Sequence, residues 1–210
     1  ELDRAAGRGL GHYLFNSLWS AGLAAGLAVA LSVPVAYLAV RYPRWTSRGL
    51  SHLCQVGYAL PGVVVALSLI LLTNTALPAL RGLPLVVVLA YVVRHMPQAV
   101  RSSQAALAQL APSLEEAGRS LGRDSLNVLL TVTVPLIFPG LLAGAALVFL
   151  TSLKELPATL LLRPAGFDTL AVRVWLAAND GLYPQAAPAA LLLTLCAAVP
   201  LAFLLRRGRI

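Results

Sequence analysis

Charge is scarce in this 210-residue chain. Only 11% of its residues are charged against 59% hydrophobic, whereas an average soluble domain carries about a quarter charged residues. Sixteen basic and eight acidic side chains cannot cover the surface of a water-soluble monomer of this size without leaving large apolar patches, so a soluble monomer is excluded and lipid becomes the expected solvent. Lysine is nearly absent: fifteen of the sixteen basic residues are arginine and the exception is Lys154. No Gly-x-x-x-x-Gly-Lys-Ser/Thr phosphate loop occurs, so nothing in the chain marks it as the site of nucleotide hydrolysis, and no enzyme-like constellation stands out elsewhere. The two cysteines, Cys54 and Cys196, lie far apart in apolar surroundings and read as reduced packing residues rather than a disulfide. His12, His52 and His95 are dispersed, which argues against a shared metal site, and no cofactor is expected. The chain opens on Glu1 with no basic leader and cleavage site, and reads as a piece of a longer protein.

What the chain does have is long charge-free runs. Five spans are expected, at about 14–40, 54–73, 83–97, 136–152 and 186–205, in an all-α polytopic membrane protein. Leu14 to Val40 and Leu53 to Leu80 contain no charge. The third is short because Arg81 and Arg94 bracket Leu83 to Val93, which leaves either a tilted helix with snorkelling arginines or a buried core helix. Gly22-x-x-x-Gly26 and Gly140-x-x-x-Gly144 read as packing faces for neighbouring helices. No His, Asp or Glu is expected mid-span, which argues against proton-coupled transport.

The net charge of +8 could also belong to a nucleic-acid binder, but its placement says otherwise. With the N-terminus outside and the C-terminus cytoplasmic, the inner set is Arg41, Arg44, Arg48, Arg94, Arg101, Arg119, Arg123, Arg206, Arg207 and Arg209. The outer set is Arg4, Arg8, Arg81, Lys154, Arg163 and Arg173. Inner loops are then the more basic, the signature of topology, and nucleic acid is not needed as a partner.

The longest cytoplasmic segment, Arg94 to Pro135, is more organised than a connector requires. Pro112 ends one helix, and Ser113-Leu114-Glu115-Glu116 has capping-box spacing, with Ser113 capping and Glu116 reaching back. A short helix to Leu121 then stops at Gly122, and Asp124 or Ser125 can cap the next. From the residues alone this is either an interfacial connector or a rigid knob for a partner's groove.

Glu116-Ala117-Gly118-x-x-x-Gly122, nine residues, then Val132-x-Val134-Pro135 resembles the signature loop of binding-protein-dependent ABC transporter permeases. That loop reads Glu-Ala-Ala, three residues, Gly, nine residues, Ile-x-Leu-Pro. Gly118 departs from the second Ala and is expected to loosen the helix. Asn16-Ser17-Leu18 and Ala59-Leu60-Pro61-Gly62 also resemble this family's core, which has five helices and the fold of the methionine permease. The resemblance implies a coupling loop at about 111–135 whose short helix docks into an ATPase subunit through Glu115, Glu116, Ala117, Gly118, Gly122 and Pro135. It further implies a periplasmic substrate-binding protein, a second permease core (an identical chain or a fused half) and a bacterial inner-membrane location.

Lys154-Glu155-Leu156-Pro157-Ala158-Thr159, Arg163-Pro164, Gly166 to Ala171 and Val174-Trp175 are similar to the ferric-iron branch of these permeases. The expected substrate is therefore ferric iron, with a polyamine, thiamine or sulfate as alternatives within the class. Lys154, Glu155 and Asp168 are the candidates for the translocation path or for contact with the binding protein: Glu155 could pair with Lys154, line the path or grip the binding protein, and Asp168 in the outer loop could shape contact with a docking protein. A secondary transporter or channel subunit and a non-transport scaffold are the rivals outside the class.

Overall fold

The computed structural model describes residues 9–207; the expected topology charges Arg4, Arg8 and Arg209 lie outside the described residues. Ten helices and no strand occur among the described residues. Helix α1 (Leu10–Arg41) is followed by α2 (Trp45–Gln55), a single 3₁₀ turn (Val56–Tyr58) and α3 (Gly62–Thr75). After a second 3₁₀ turn (Pro78–Leu80) comes α4 (Leu85–Ala108), then α5 (Pro112–Ser120) and α6 (Ser125–Val128). A π turn (Leu129–Thr133) leads into α7 (Val134–Leu153), and α8 (Pro157–Leu162), α9 (Leu170–Asn179) and α10 (Tyr183–Arg207) complete the chain.

Three stretches are long and apolar enough to cross a bilayer, Leu10–Arg41, Ser125–Leu153 and Tyr183–Ala202. A fourth candidate is broken: Trp45–Tyr58 and Gly62–Thr75 meet at 109°. The expected continuous span at 54–73 is thus corrected, because Pro61 cannot donate a backbone hydrogen bond and forces its neighbour out of the helical region. The break falls on Ala59-Leu60-Pro61.

Helix α4 is the hub. Val86, Val87, Val88, Ala90, Tyr91, Val92, Ala99, Val100 and Leu107 are all buried, so the expected short third span becomes a 24-residue core helix. Its arginines do not snorkel from an apolar rod, since Arg94 lies nine residues from the first turn, roughly 14 Å along the axis. Helix α1 presents Ala21, Ala24, Ala25 and Ala28 to the core, and small side chains let the two backbones approach closely. A Ser32–Ser103 hydroxyl contact of 2.7 Å ties α1 to α4 lower down.

Helix α7 meets α4 through Gly140 and Gly144. A Cβ on Gly140 would lie 2.5 Å from Ala106 Cβ, and one on Gly144 would lie 2.9 Å from Ser102 Cβ. Ser102 donates to the Gly140 carbonyl at 2.7 Å. The other small pair differs from expectation: Gly22 and Gly26 meet nothing within 4 Å and line an open apolar groove with Phe149 and Val199. Gly140→Val should therefore lower thermal stability by about 1–3 kcal/mol through overpacking, whereas Gly22→Val should change it little; thermal melts of the purified variants decide this.

Candidate functional site

The short helix α5 is seated by one buried carboxylate. Pro112 occupies its first turn, where a missing N–H costs nothing, and the residue capping it is Ala111, with no side-chain cap. The expected capping box of Ser113 and Glu116 is therefore not formed: both side chains are exposed and Ser113 already lies inside the helix. The C-terminus follows expectation. Gly122 adopts φ of +84°, its N–H reaches the Arg119 carbonyl at 2.9 Å, and the Arg123 N–H reaches the Gly118 carbonyl at 3.4 Å, a Schellman closure that favours glycine. Asp124 sits at the N-cap of α6 without a side-chain cap bond.

Two adjacent glutamates have opposite surroundings. Glu115 is 2% exposed and accepts from Arg41 Nε at 3.0 Å, from Thr133 Oγ1 at 3.2 Å and from the Tyr37 hydroxyl at 3.3 Å. Arg41 also donates to the Leu110 carbonyl at 2.9 Å. One carboxylate thereby joins the end of α1, the turn before α5 and the π turn before α7. Glu116 is exposed, as are Leu114, Ala117 and Leu121. Those three apolar residues fall at positions i, i+3 and i+7, so they form a stripe on the face turned away from the bundle.

Gly118 is a close-packing position. A Cβ there would come within 3.1 Å of Val128 Cγ2, so the absent methyl is what lets α5 lie against α6. Pro135, which cannot donate to the Thr131 carbonyl, comes two residues after the π turn Leu129–Thr133, a backbone widening that accommodates it within an otherwise continuous helix.

A second polar cluster sits at the break in the bent span. Arg94 Nε is 3.0 Å from Glu155 Oε2, its Nη1 donates to the Leu60 carbonyl at 2.8 Å, and His95 Nε2 is 3.9 Å from the same carboxylate. The Leu60 carbonyl is one of those the broken helix leaves unmatched. Gly62 is the close approach, because a Cβ there would stand 2.6 Å from Glu155 Oε1 and 3.5 Å from Pro157 Cβ. Glu155 is 7% exposed and pairs with Arg94 rather than with Lys154, its exposed neighbour.

Two expectations are corrected here. Arg94 and Glu155 were placed in opposite loops, yet they meet partway along α4, and with His95 they supply the interior ionisable groups that were expected to be missing. Arg101 likewise lies within α4 rather than in a loop.

At the far end of the bundle, two quoted runs fold onto each other. Asn16 donates to the Asp168 carbonyl at 3.0 Å, Ser17 Oγ accepts from the Leu170 N–H at 2.8 Å, and His12 donates to the Gly166 carbonyl at 3.0 Å. Asp168 forms an ion pair with Arg163 across this loop. The sequence singled out Glu115, Gly118, Gly122, Pro135, Glu155 and Asp168, but not the groups that hold them. Arg41, Tyr37 and Thr133 carry no local signal of that role; Arg94 and His95 did, as a polar pair interrupting an apolar run.

Comparison with known proteins places this arrangement. The family model described as binding-protein-dependent transport system inner membrane component matches residues 22–207. An Fe(3+)-transport system permease protein of Haemophilus influenzae is 38% identical over 192 residues, covering 91% of this chain and 38% of that protein. A ferric transport system permease protein of Actinobacillus pleuropneumoniae is 30% identical over 81% of this chain and 25% of its own length. A putrescine transport system permease protein of Escherichia coli K12 is 31% identical over 71% of this chain and 55% of its own. The chain thus spans 38% or less of these two ferric relatives. The solved MetNI methionine ABC transporter, in inward-facing conformations, superposes with a TM-score of 0.75 at 16% identity, covering 95% of this chain and 94% of the other, a likeness of fold. A broken span, an interior helix rich in small contacts and a short helix set on the end of the bundle are therefore the parts of a multi-pass inner-membrane protein that belongs to the binding-protein-dependent transport system inner membrane component family, the permeases of ABC importers.

Proposed function

We propose that this chain is one permease core of an ATP-driven importer of ferric iron, and that α5 is the element through which a partner ATPase moves it. The observation that carries the reading is the division of labour on α5. Glu115 is locked to α1 and to the π turn before α7, while Leu114, Glu116, Ala117 and Leu121 are left exposed on a closed, nine-residue helix. A helix this short is marginal alone, so a force applied to its outer face passes into α1 and α7 through the carboxylate rather than being lost in fraying. Rigid-body rocking of the bundle against a second core then opens the path alternately to the two sides.

In this proposal α4 is a fifth crossing, screened from lipid by α1, α3 and α7, and α5 lies on the cytoplasmic side. The N-terminal end of α1 is then outside and the end of α10 inside. ATP hydrolysis takes place in the partner subunit, and a periplasmic binding protein delivers the substrate. The substrate assignment draws on the ferric relatives and on the run from Lys154 to Trp175.

Reconstitution of the full-length permease with its ATPase and binding protein in proteoliposomes tests both parts. ATP-dependent uptake of ⁵⁵Fe is expected, with putrescine, thiamine and sulfate uptake at background; uptake of one of those and not iron would move the substrate within the class. Gly122→Trp, which places a bulky side chain at a left-handed position on the coupling face, should abolish substrate-stimulated ATPase activity while the complex still assembles. Unchanged stimulation would remove α5 from the mechanism.

A further inference from the structure

Beside the Arg94–Glu155 pair lies a cavity of about 380 Å³, lined by Tyr58, Gln98, Thr151 and Lys154 as well as by Arg94, His95 and Glu155. Its size falls at the small end of ligand pockets, about 300–1,000 Å³. Its charge balance is unusual for a protein proposed to carry a metal cation. One carboxylate faces an arginine and a lysine, and that carboxylate is already engaged. Glu155 Oε2 is held by Arg94, and Oε1 lies in the space a Gly62 side chain would fill, at the first turn of α3, where the helix dipole favours negative charge.

The charged group left over is a donor, Lys154. Lys154 forms no ion pair among the described residues, although it lines the cavity two residues from the buried wall of α7. Gln98 rests 3.1 Å from Thr151 Oγ1 and lines the cavity with it. Tyr58 contributes its ring, over which the Arg101 guanidinium sits at 5.9 Å, adding a further positive charge behind the wall. A bare trivalent cation here would face more positive than negative charge, with no free carboxylate to ligate it; hard ferric iron calls for oxygen ligands, by extension of the preference of hard cations for carboxylate, carbonyl and water.

We infer that the cavity at the break of the bent span binds a small multivalent oxyanion, either free or as the chelate that encloses a ferric ion, with Lys154 as its principal charged contact. The oxygen ligands of the metal are then supplied by the anion and not by the protein, and the wall reads the negative exterior of the complex. This inference rests on the proposal that the chain carries ferric iron only for its chelate form; the oxyanion site itself follows from the lining.

Equilibrium binding to the full-length permease assembled with its ATPase in nanodiscs tests it, with [¹⁴C]citrate and [³²P]phosphate as probes, each alone and with equimolar Fe(III). Binding of at least one probe is expected. Lys154→Gln should weaken it about tenfold or more, the value of a lost charge-assisted contact, and Lys154→Arg should keep it within about threefold. Because Lys154 is exposed, these variants are expected to assemble normally, which co-purification of the ATPase subunit and the elution volume of the complex check. Binding that requires Fe(III) identifies the chelate as ligand; binding without it identifies the free anion. No binding of any probe, or equal binding by Lys154→Gln, overturns the inference. Wild-type ⁵⁵Fe uptake without anion binding refutes the site and leaves the importer reading standing, while anion binding without ⁵⁵Fe uptake retains the site and removes iron as cargo.

Discussion

Glu115→Ala is expected to abolish ATP-driven uptake and to lower the thermal stability of the permease, whereas Glu116→Ala should impair coupling alone. The difference follows from burial. Removing the Glu115 carboxylate leaves Arg41, whose side chain is 11% exposed, with the Leu110 carbonyl as its remaining hydrogen-bond acceptor, and leaves Tyr37 and Thr133 without their shared acceptor. Breaking a buried pair by deleting one partner costs roughly 3–5 kcal/mol, because the other charge stays out of water. That cost is concentrated where α5 meets α1, so the helix loses its seat before the bundle loses its core. Arg41→Met combined with Glu115→Leu should recover much of the stability, since well-packed apolar residues often replace a buried ion pair at little cost, but it should not recover full coupling. Melting curves and uptake assays on the two single variants and the double variant provide the cycle. If Glu115→Ala melts and transports like the wild type, the seating role is wrong.

Arg94→Met carries the second large effect. Glu155 would remain 7% exposed with no arginine partner, His95 Nε2 standing 3.9 Å away, and the Leu60 carbonyl would lose its donor at the point where the bent span is broken. A loss of about 3–5 kcal/mol is again expected, by the same reasoning. Here it should appear as separation of α3 from α4 and α8, because Arg94 is the side chain that joins the break to the helix behind it. Gly62→Ala should act in the same direction, since its new methyl would stand 2.6 Å from Glu155 Oε1 and Pro157 blocks retreat on one side. Hydrogen exchange on the purified permease would show faster exchange in residues 56–75 for both variants and little change in α1. Uniform acceleration across the bundle would mean that the pair is a general core element rather than a clasp at the break.

How far the sequence spoke for itself depends on the range of the interaction. Gly122 and the short helix it ends were legible because helix ends are decided by residues within a turn of one another; Pro112, read as the end of the preceding helix, instead opens this one, the preceding helix having stopped at Ala108. The glycine pair on α7 was legible as a pattern, although the same pattern on α1 proved open. The capping box was misread because Pro112 starts the helix one residue before Ser113, which moves the serine from the cap into the first turn. Interior charge was misplaced for a different reason. Arg94 looked like a loop residue because apolar runs were taken to end at charges, yet a partner 61 residues away in sequence and 3.0 Å away in space lets an arginine sit inside the bundle. Arg41 and Glu115, 74 residues apart, were invisible as a pair on the same ground.

The central claim is that the exposed face of α5 is the surface an ATPase subunit grips. A photo-crosslinking amino acid in place of Leu121, which is 83% exposed, reads that contact directly in the assembled complex, with the same replacement at Leu77 beyond the end of α3 as the control. Irradiation is predicted to join the Leu121 position, and not the Leu77 position, to the ATPase subunit, with the yield changing when ATP is bound. An ATPase that co-purifies but never crosslinks at Leu121, or crosslinks equally at Leu77, would contradict the account.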